Sequence, residues 1–376
     1  NAYHPDLLMI ASGIFKDRRA AWAIREHKDR FADILYGDKC VKPLAPDAPE
    51  SPLALSRHFR NAGVVIARDR WDEKTTMLQF TAPSFYSTNH LHRDSNSFTL
   101  HYRGGLAIDS GLYDEGKAFE GGYNGVHWRN YFTRTIAHNA IVVFDPKQEM
   151  TVLEGPASND GGQIFREDPW TLADIQPGGY AHMDGITRYA DTTDYTYASG
   201  DATKAYDAER VRLAQREIVY LRNSGRAHPI VVVFDRVESV KVEFQKRFLL
   251  HTVNEPVMSG VVTVAEHKGG RLSCITLLPE KAKLELIGGP GKDAWVDGKN
   301  YSWIPTTRKK PGRDPGEWRL EVSPRQPHLR DYFLHVLFVD DVGAKPVKAK
   351  DAKLTRTKDD ATVHVGDWTI TFPFEA

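Results

Sequence analysis

Between Asn89 and Asn139 the chain gathers five histidines and three aspartates, set among segments that otherwise read as strands. The densest part is the run Asn89-His90-Leu91-His92-Arg93-Asp94. If 88–94 is extended, side chains of one parity share a face, which puts His90, His92 and Asp94 on the same side. Two imidazoles and one carboxylate are the ligand set of a zinc site whose fourth position is left for water or a substrate oxygen. Asp109 and His138 stand near strand ends in the same stretch. Asp94 is a competing carboxylate, and its other role is to orient a histidine from behind. His101, His127 and His182 are single histidines without a partner at ligand spacing, so they read first as structural residues. Arg93, Arg129 and Arg134 could each grip a carboxylate or sulfate through paired hydrogen bonds, against the competing role of a surface ion pair. Tyr113, Tyr123 and Tyr131 could lie against a sugar or pack on a sheet edge.

The elements that must hold these residues are strands. From Ala2 to Gly37 the apolar residues recur at helical spacing, which predicts two helices with Asp17 as a cap between them and Gly37 as a stop. Two helices are a poor domain by themselves and read as the end of a larger helical one. The proline-rich segment 38–56 is a linker. After it the period changes to two, and strands are predicted over 61–69, 75–81, 97–103, 105–109 and 140–144. Residues 213–221 and 229–235 form a hairpin around Gly225. Further strands follow over 243–251, 260–265, 271–278, 284–287, 318–323, 332–339 and 362–372. The fold class is therefore mainly β, with stacked antiparallel sheets in a sandwich-like arrangement. A composition dip at 266–270 divides a central sheet domain, 46–268, from a smaller C-terminal one, 269–376. The charged stretch 348–360 reads as a solvated loop.

Composition excludes several classes of function. Lys plus Arg and Asp plus Glu are 50 each, so no net field draws the chain to nucleic acid or an anionic membrane. No run of about twenty apolar residues occurs, so no membrane helix is expected. The two cysteines, Cys40 and Cys274, form no CxxC and read as thiols rather than metal ligands. The chain begins at Asn1 without an initiating methionine or an apolar leader, and is read as a mature or truncated product with any export signal out of view.

Several motifs together resemble the heparinase II/III group of polysaccharide lyases. They are His90-x-His92-x-Asp94-x-x-Ser97-Phe98, the turn Asp109-Ser110-Gly111-x-Tyr113, and Tyr131-x-x-x-Thr135-x-Ala137-His138-Asn139. The resemblance continues through Val233-Phe234-Asp235-Arg236-Val237, Phe248-Leu249-Leu250-His251, Trp318 to Pro324 and Phe333 to Leu337. It implies a helical (α/α) toroid followed by stacked antiparallel sheets, with residues 1–45 holding the end of that toroid and the start of the linker. It also implies cleavage of a uronic-acid-containing polysaccharide by β-elimination.

Carried over position by position, the resemblance makes His92, Asp109 and His138 the ligands of one zinc ion. His90 becomes a histidine at the catalytic centre, and Asn89 a contact to the uronate carboxylate. Arg93, Tyr113, Tyr123 and Arg129 are the further substrate-contact candidates. The ion's expected role is to tie strand ends together. The tyrosine that moves protons in this family belongs to the toroid, so the implied partners are an anionic polysaccharide, the helical portion of the same enzyme, and a second copy of the chain as a homodimer. The implied location is periplasmic or secreted. The neutral charge balance favours alginate-like or mixed exopolysaccharides over highly sulfated heparin. Two rival readings stand beside this one: a carbohydrate-binding sheet module without activity, using Trp128, Trp295 and Trp303, and a zinc hydrolase. The hydrolase ranks last because no HExxH accompanies the histidines.

Overall fold

The run Ile230-Val231-Val232-Val233-Phe234 lacks the polar alternation of a strand with one wet face. Such a run is buried on both sides. In the computed structural model, which describes residues 5–25, 39–87, 90–112, 125–152, 155–302 and 314–375, it lies in the strand Ile230–Ser239 near the middle of an eight-stranded antiparallel sheet. Val231 and Val233 face one core with Phe80, Phe98 and Phe248, while Ile230, Val232 and Phe234 face another with Val363, Val365 and Phe372. Opposite parities thus serve two packed layers.

The eight strands run in the order Val257–Ser259, Val262–His267, Gly270–Leu278, Arg330–Asp341, Ile230–Ser239, Val211–Leu221, Tyr195–Asp201 and Gly185–Asp191. On the first core sit two smaller sheets. One is a five-stranded meander of Ser56–Phe59, Val64–Arg68, Met77–Thr81, Ser97–Tyr102 and Gly104–Ala107. The other is four-stranded, in the order Ala282–Gly288, Trp318–Pro324, Gln245–Thr252 and Ile141–Phe144. The second core is closed by Ala352–Arg356, Asp360–Val365 and Trp368–Pro373.

The mainly-β, antiparallel class holds. Three local expectations are corrected. Residues 90–94 form no strand, and His90 has a left-handed φ of 61°, so the shared-face argument for His90, His92 and Asp94 fails. The stretch 362–372 is a hairpin rather than one strand, because Gly366, at φ 55°, turns the chain. Within the charged stretch 348–360 lies the strand Ala352–Arg356, whose Ala352 is buried.

The chain divides into two compact units, residues 1–55 with 70–72, and 56–69 with 73–376. The division expected at 268/269 falls within the turn of the hairpin that pairs Val262–His267 with Gly270–Leu278, inside one sheet and one unit. In the first unit the helices are Pro5–Gly13 and Arg18–Ala23. Asp17 caps the second by accepting from the backbone N–H of Arg19 and Ala20, at 2.8 and 3.0 Å. Gly37 and the apolar residues Phe31, Ile34 and Leu35 lie outside the described residues. Cys274 is buried in the first core, and burial pushes its thiol up to about 12.

Candidate metal centre

Three segments meet where the five- and four-stranded sheets adjoin: 90–96, 108–111 after the strand Gly104–Ala107, and 133–139 ahead of Ile141–Phe144. Backbone bonds stitch them together. Arg93 N–H donates to Thr133 O at 2.9 Å, Thr135 Oγ1 donates to Arg93 O at 2.7 Å, and Ser110 N–H donates to Ala137 O at 2.8 Å. Asn139, fully buried, makes the junction rigid. Its Nδ2 donates to Phe98 O and Ile108 O at 2.7 and 3.0 Å, and its Oδ1 accepts from His251 N–H at 2.6 Å. One amide therefore satisfies backbone groups of three separate segments that would otherwise be buried and unpaired.

On this frame the structure brings His92, Asp109 and His138 together. His138 is fully buried, and its Nδ1–H donates to Asp109 Oδ1 at 2.9 Å. Its Nε2 lies 3.2 Å from His92 Nδ1. Phe132 meets the His92 ring edge-on, with centroids 4.7 Å apart. Burial and the neighbouring His138 hold His92 down to about 3, so its ring is neutral. Burial alone would lower His138 as well, but the charge and hydrogen bond of Asp109, with Asp94 behind it, outweigh that and raise it. Burial pushes Asp94 up to about 6, against the pull of His138.

The donor chemistry suits zinc, which takes imidazole nitrogen and carboxylate oxygen. In this arrangement Asp109 and His92 meet opposite nitrogens of His138, and among the described residues no three His, Cys, Asp or Glu side chains form a ready ligand cage.

The other candidates separate clearly. His90 is exposed beside His92 in its left-handed conformation. Arg93 faces inward, 2% exposed, between the rings of Tyr86 and Phe165, with a hydrogen bond to the Tyr86 hydroxyl. That placement withdraws it as a substrate contact. Arg134 is buried on Asp160 at 2.6 Å, and Arg129 is half-buried in the turn Trp128–Phe132. His127 is buried, with Nδ1–H donating to Tyr301 O at 2.6 Å and Nε2 accepting from Leu112 N–H at 3.4 Å, a satisfied neutral ring. His101 is exposed on its strand, and His182 sits on Ile175 O at 3.2 Å. Asn89, Tyr113, Tyr123 and Trp303 lie outside the described residues. Tyr131 is buried and donates to Ser110 Oγ at 2.9 Å, which places it in the frame and not at a sugar.

Sequence reasoning missed the pair that carries this frame from below, Arg216 and Asp235. Arg216 Nη1 donates to both Asn96 O and Asn139 O at 2.6 Å, while its Nε and Nη2 hold Asp235. The available signal was at Asp235, a charge directly after the apolar run Ile230 to Phe234, since such charges are buried only when paired; Arg216, between Gln215 and Glu217, carries no such signal.

Residues 51–298 match the family model described as heparinase II/III-like, C-terminal. Among solved structures, the chain is similar to one titled heparan sulfate lyase HepC from Pedobacter heparinus, with TM-score 0.59 and 14% identity, covering 100% of this chain and 49% of that one. It is also similar to one titled heparinase III-BT4657 gene product, with TM-score 0.58 and 14% identity over 99% of this chain and 48% of that one. The chain thus spans about half the length of these structures. Among curated proteins no match was found.

Proposed function

Because the chain belongs to the heparinase II/III-like family, we propose that it is the sheet portion of a polysaccharide lyase acting on a uronate-bearing polysaccharide. The observation that carries this reading is the family match itself, which spans a rigidly framed cluster of His92, Asp109 and His138 with an exposed histidine beside it. In a β-elimination, a base removes the C5 proton, the C4–O bond breaks, and an acid returns a proton to the departing oxygen. The C5 proton is too weakly acidic to be taken unless donors or cations neutralise the adjacent carboxylate. His90 is assigned the contact at the reacting sugar, because its side chain is exposed beside His92 and an imidazole is a common general acid or base. Helices preceding the sheets, of which Pro5–Gly13 and Arg18–Ala23 are read as the last, would supply the tyrosine and the rest of the cleft.

The proposal includes a zinc ion on His92, Asp109 and His138, supported by donor chemistry and by the contact of both partners with His138. Such an ion would tie the three segments together and fix His90 through its neighbour. A polymeric substrate of this kind also fits a periplasmic or secreted enzyme.

The test is to incubate the full-length protein with alginate, heparan sulfate, chondroitin, hyaluronan and other uronate exopolysaccharides, following the ultraviolet absorbance of the unsaturated product. Absence of product on all of them, with a glycan still bound, would replace the lyase by a binding module.

A further inference from the structure

A second site stands apart from the His92–His138 cluster. The edge strand of the five-stranded sheet, Ser56–Phe59, approaches the edge strand of the eight-stranded sheet, Gly185–Asp191, and Ser56 Oγ and Tyr189 OH are 3.0 Å apart. Between them opens a cleft of about 370 Å³. Its floor is the 82–84 segment, admitted by two left-handed glycines. A Cβ at Gly63 would lie 2.3 Å from Pro83 Cα, and one at Gly185 would lie 2.9 Å from Ser84 N.

The polar lining of this cleft is Arg60, Arg188, His58, Tyr189, Ser84 and Thr187, and it contains no carboxylate. Both arginines are exposed, and neither makes a hydrogen bond or ion pair among the described residues. Arg93, Arg134, Arg216, Arg222 and Arg236, by contrast, spend their guanidinium groups on internal partners. Arginine at a sheet edge also discourages edge-to-edge pairing. That role asks for charge alone and not for two guanidinium groups converging on one concavity beside an aromatic pair. His58 and Tyr189 form that pair, with centroids 5.6 Å apart. Burial and the charge of Arg60 hold His58 below the ordinary histidine range, which leaves the ring neutral and the positive charge with the arginines.

We propose that the cleft between Ser56–Phe59 and Gly185–Asp191 is an accessory subsite for an anionic polysaccharide, gripping its carboxylates through Arg60 and Arg188 with a sugar face against Tyr189. Guanidinium forks match planar carboxylates, and the flat ring suits a sugar's apolar face. The choice of a polysaccharide as the anion rests on the lyase reading; the preference for an anion does not.

The test uses the full chain with an oligomannuronate hexasaccharide, its carboxyl-reduced counterpart, and a single-stranded oligonucleotide of similar charge. The wild type should bind the hexasaccharide, and added salt should weaken that binding. The carboxyl-reduced form should bind far less. The Arg60→Gln/Arg188→Gln variant should bind the hexasaccharide about tenfold more weakly or worse, since each exposed fork contributes a charge-assisted pair. Arg325→Gln, in an exposed bend that lines a separate cleft, is the control and should bind as wild type. Where turnover is measurable, the double variant should raise KM on polymer and leave kcat unchanged. Loss of binding in the double variant without any unsaturated product from the wild type would keep the subsite and sink the lyase reading. Equal hexasaccharide affinity in wild type and double variant would overturn the subsite, as would tighter binding of the oligonucleotide than of the uronate.

Discussion

Arg216 Nε and Nη2 donate to the two carboxylate oxygens of Asp235 at 2.7 and 3.1 Å, and both side chains are buried, 0% and 2% exposed. The remaining nitrogen of Arg216 holds the carbonyls of Asn96 and Asn139, one from each of two segments that form the candidate centre. Asp235→Ala leaves a buried cation unpaired, and should cost about 3–5 kcal/mol in a urea unfolding curve. A surface aspartate such as Asp359, 75% exposed, should change stability little when replaced by alanine. Equal effects at the two positions would show that the pair does not support the site.

His90 offers a way to separate chemistry from folding. Its φ of 61° is one that glycine adopts without cost. His90→Gly should therefore stay within about 1 kcal/mol of wild type, relief of strain being offset by greater freedom in the unfolded chain. Turnover should fall about a hundredfold or more in the full-length enzyme. Retained turnover would remove His90 from the reaction.

Metal content is a direct check on His92, Asp109 and His138. Elemental analysis should find about one zinc per chain, and His138→Ala should lose it. Because the three side chains come from three separate segments, chelation should lower Tm together with activity. A chelated protein that keeps its Tm but loses turnover would move the ion from a tying role to a chemical one.

Glu321 sets a pH dependence through a side chain that is not itself a proposed ligand. Burial alone would raise its carboxyl, but Arg319 at 2.8 Å and Arg247 at 3.6 Å outweigh burial and hold it below the ordinary glutamate range. As pH falls the unfolded chain takes up the proton first. The contribution is therefore complete above the ordinary value of 4.5 and is lost as pH drops through the lower native value. Unfolding free energies measured from about pH 6 to about pH 3 should fall more steeply for wild type than for Glu321→Gln. Parallel slopes would contradict the assignment.

Much of the strand inventory was legible because apolar alternation is local. The hairpin Val211–Leu221 with Ile230–Ser239 follows from two β-rich runs and the left-handed Gly225. The last hairpin was read as one strand because its two-residue turn, Gly366-Asp367, only briefly interrupts an otherwise alternating pattern. The expected boundary at 268/269 rested on composition, which cannot reveal that Leu272 and Val339 are neighbours in one sheet.

The sequence by itself determined the antiparallel sheet class and the family through its spaced motifs, and through that resemblance it pointed to His92, Asp109 and His138, which the fold brings together. These depend on residue type and on spacing along the chain. Only the tertiary structure decided which charges point inward. Arg93 and Arg134 look like ligand-gripping residues in the sequence, but they are committed to Phe165, Tyr86 and Asp160, whereas Arg60 and Arg188 stand free in a cleft. The physical reason is that a guanidinium's role depends on whether a partner meets it in space. That partner comes from strands far away in sequence, so local pattern does not specify it.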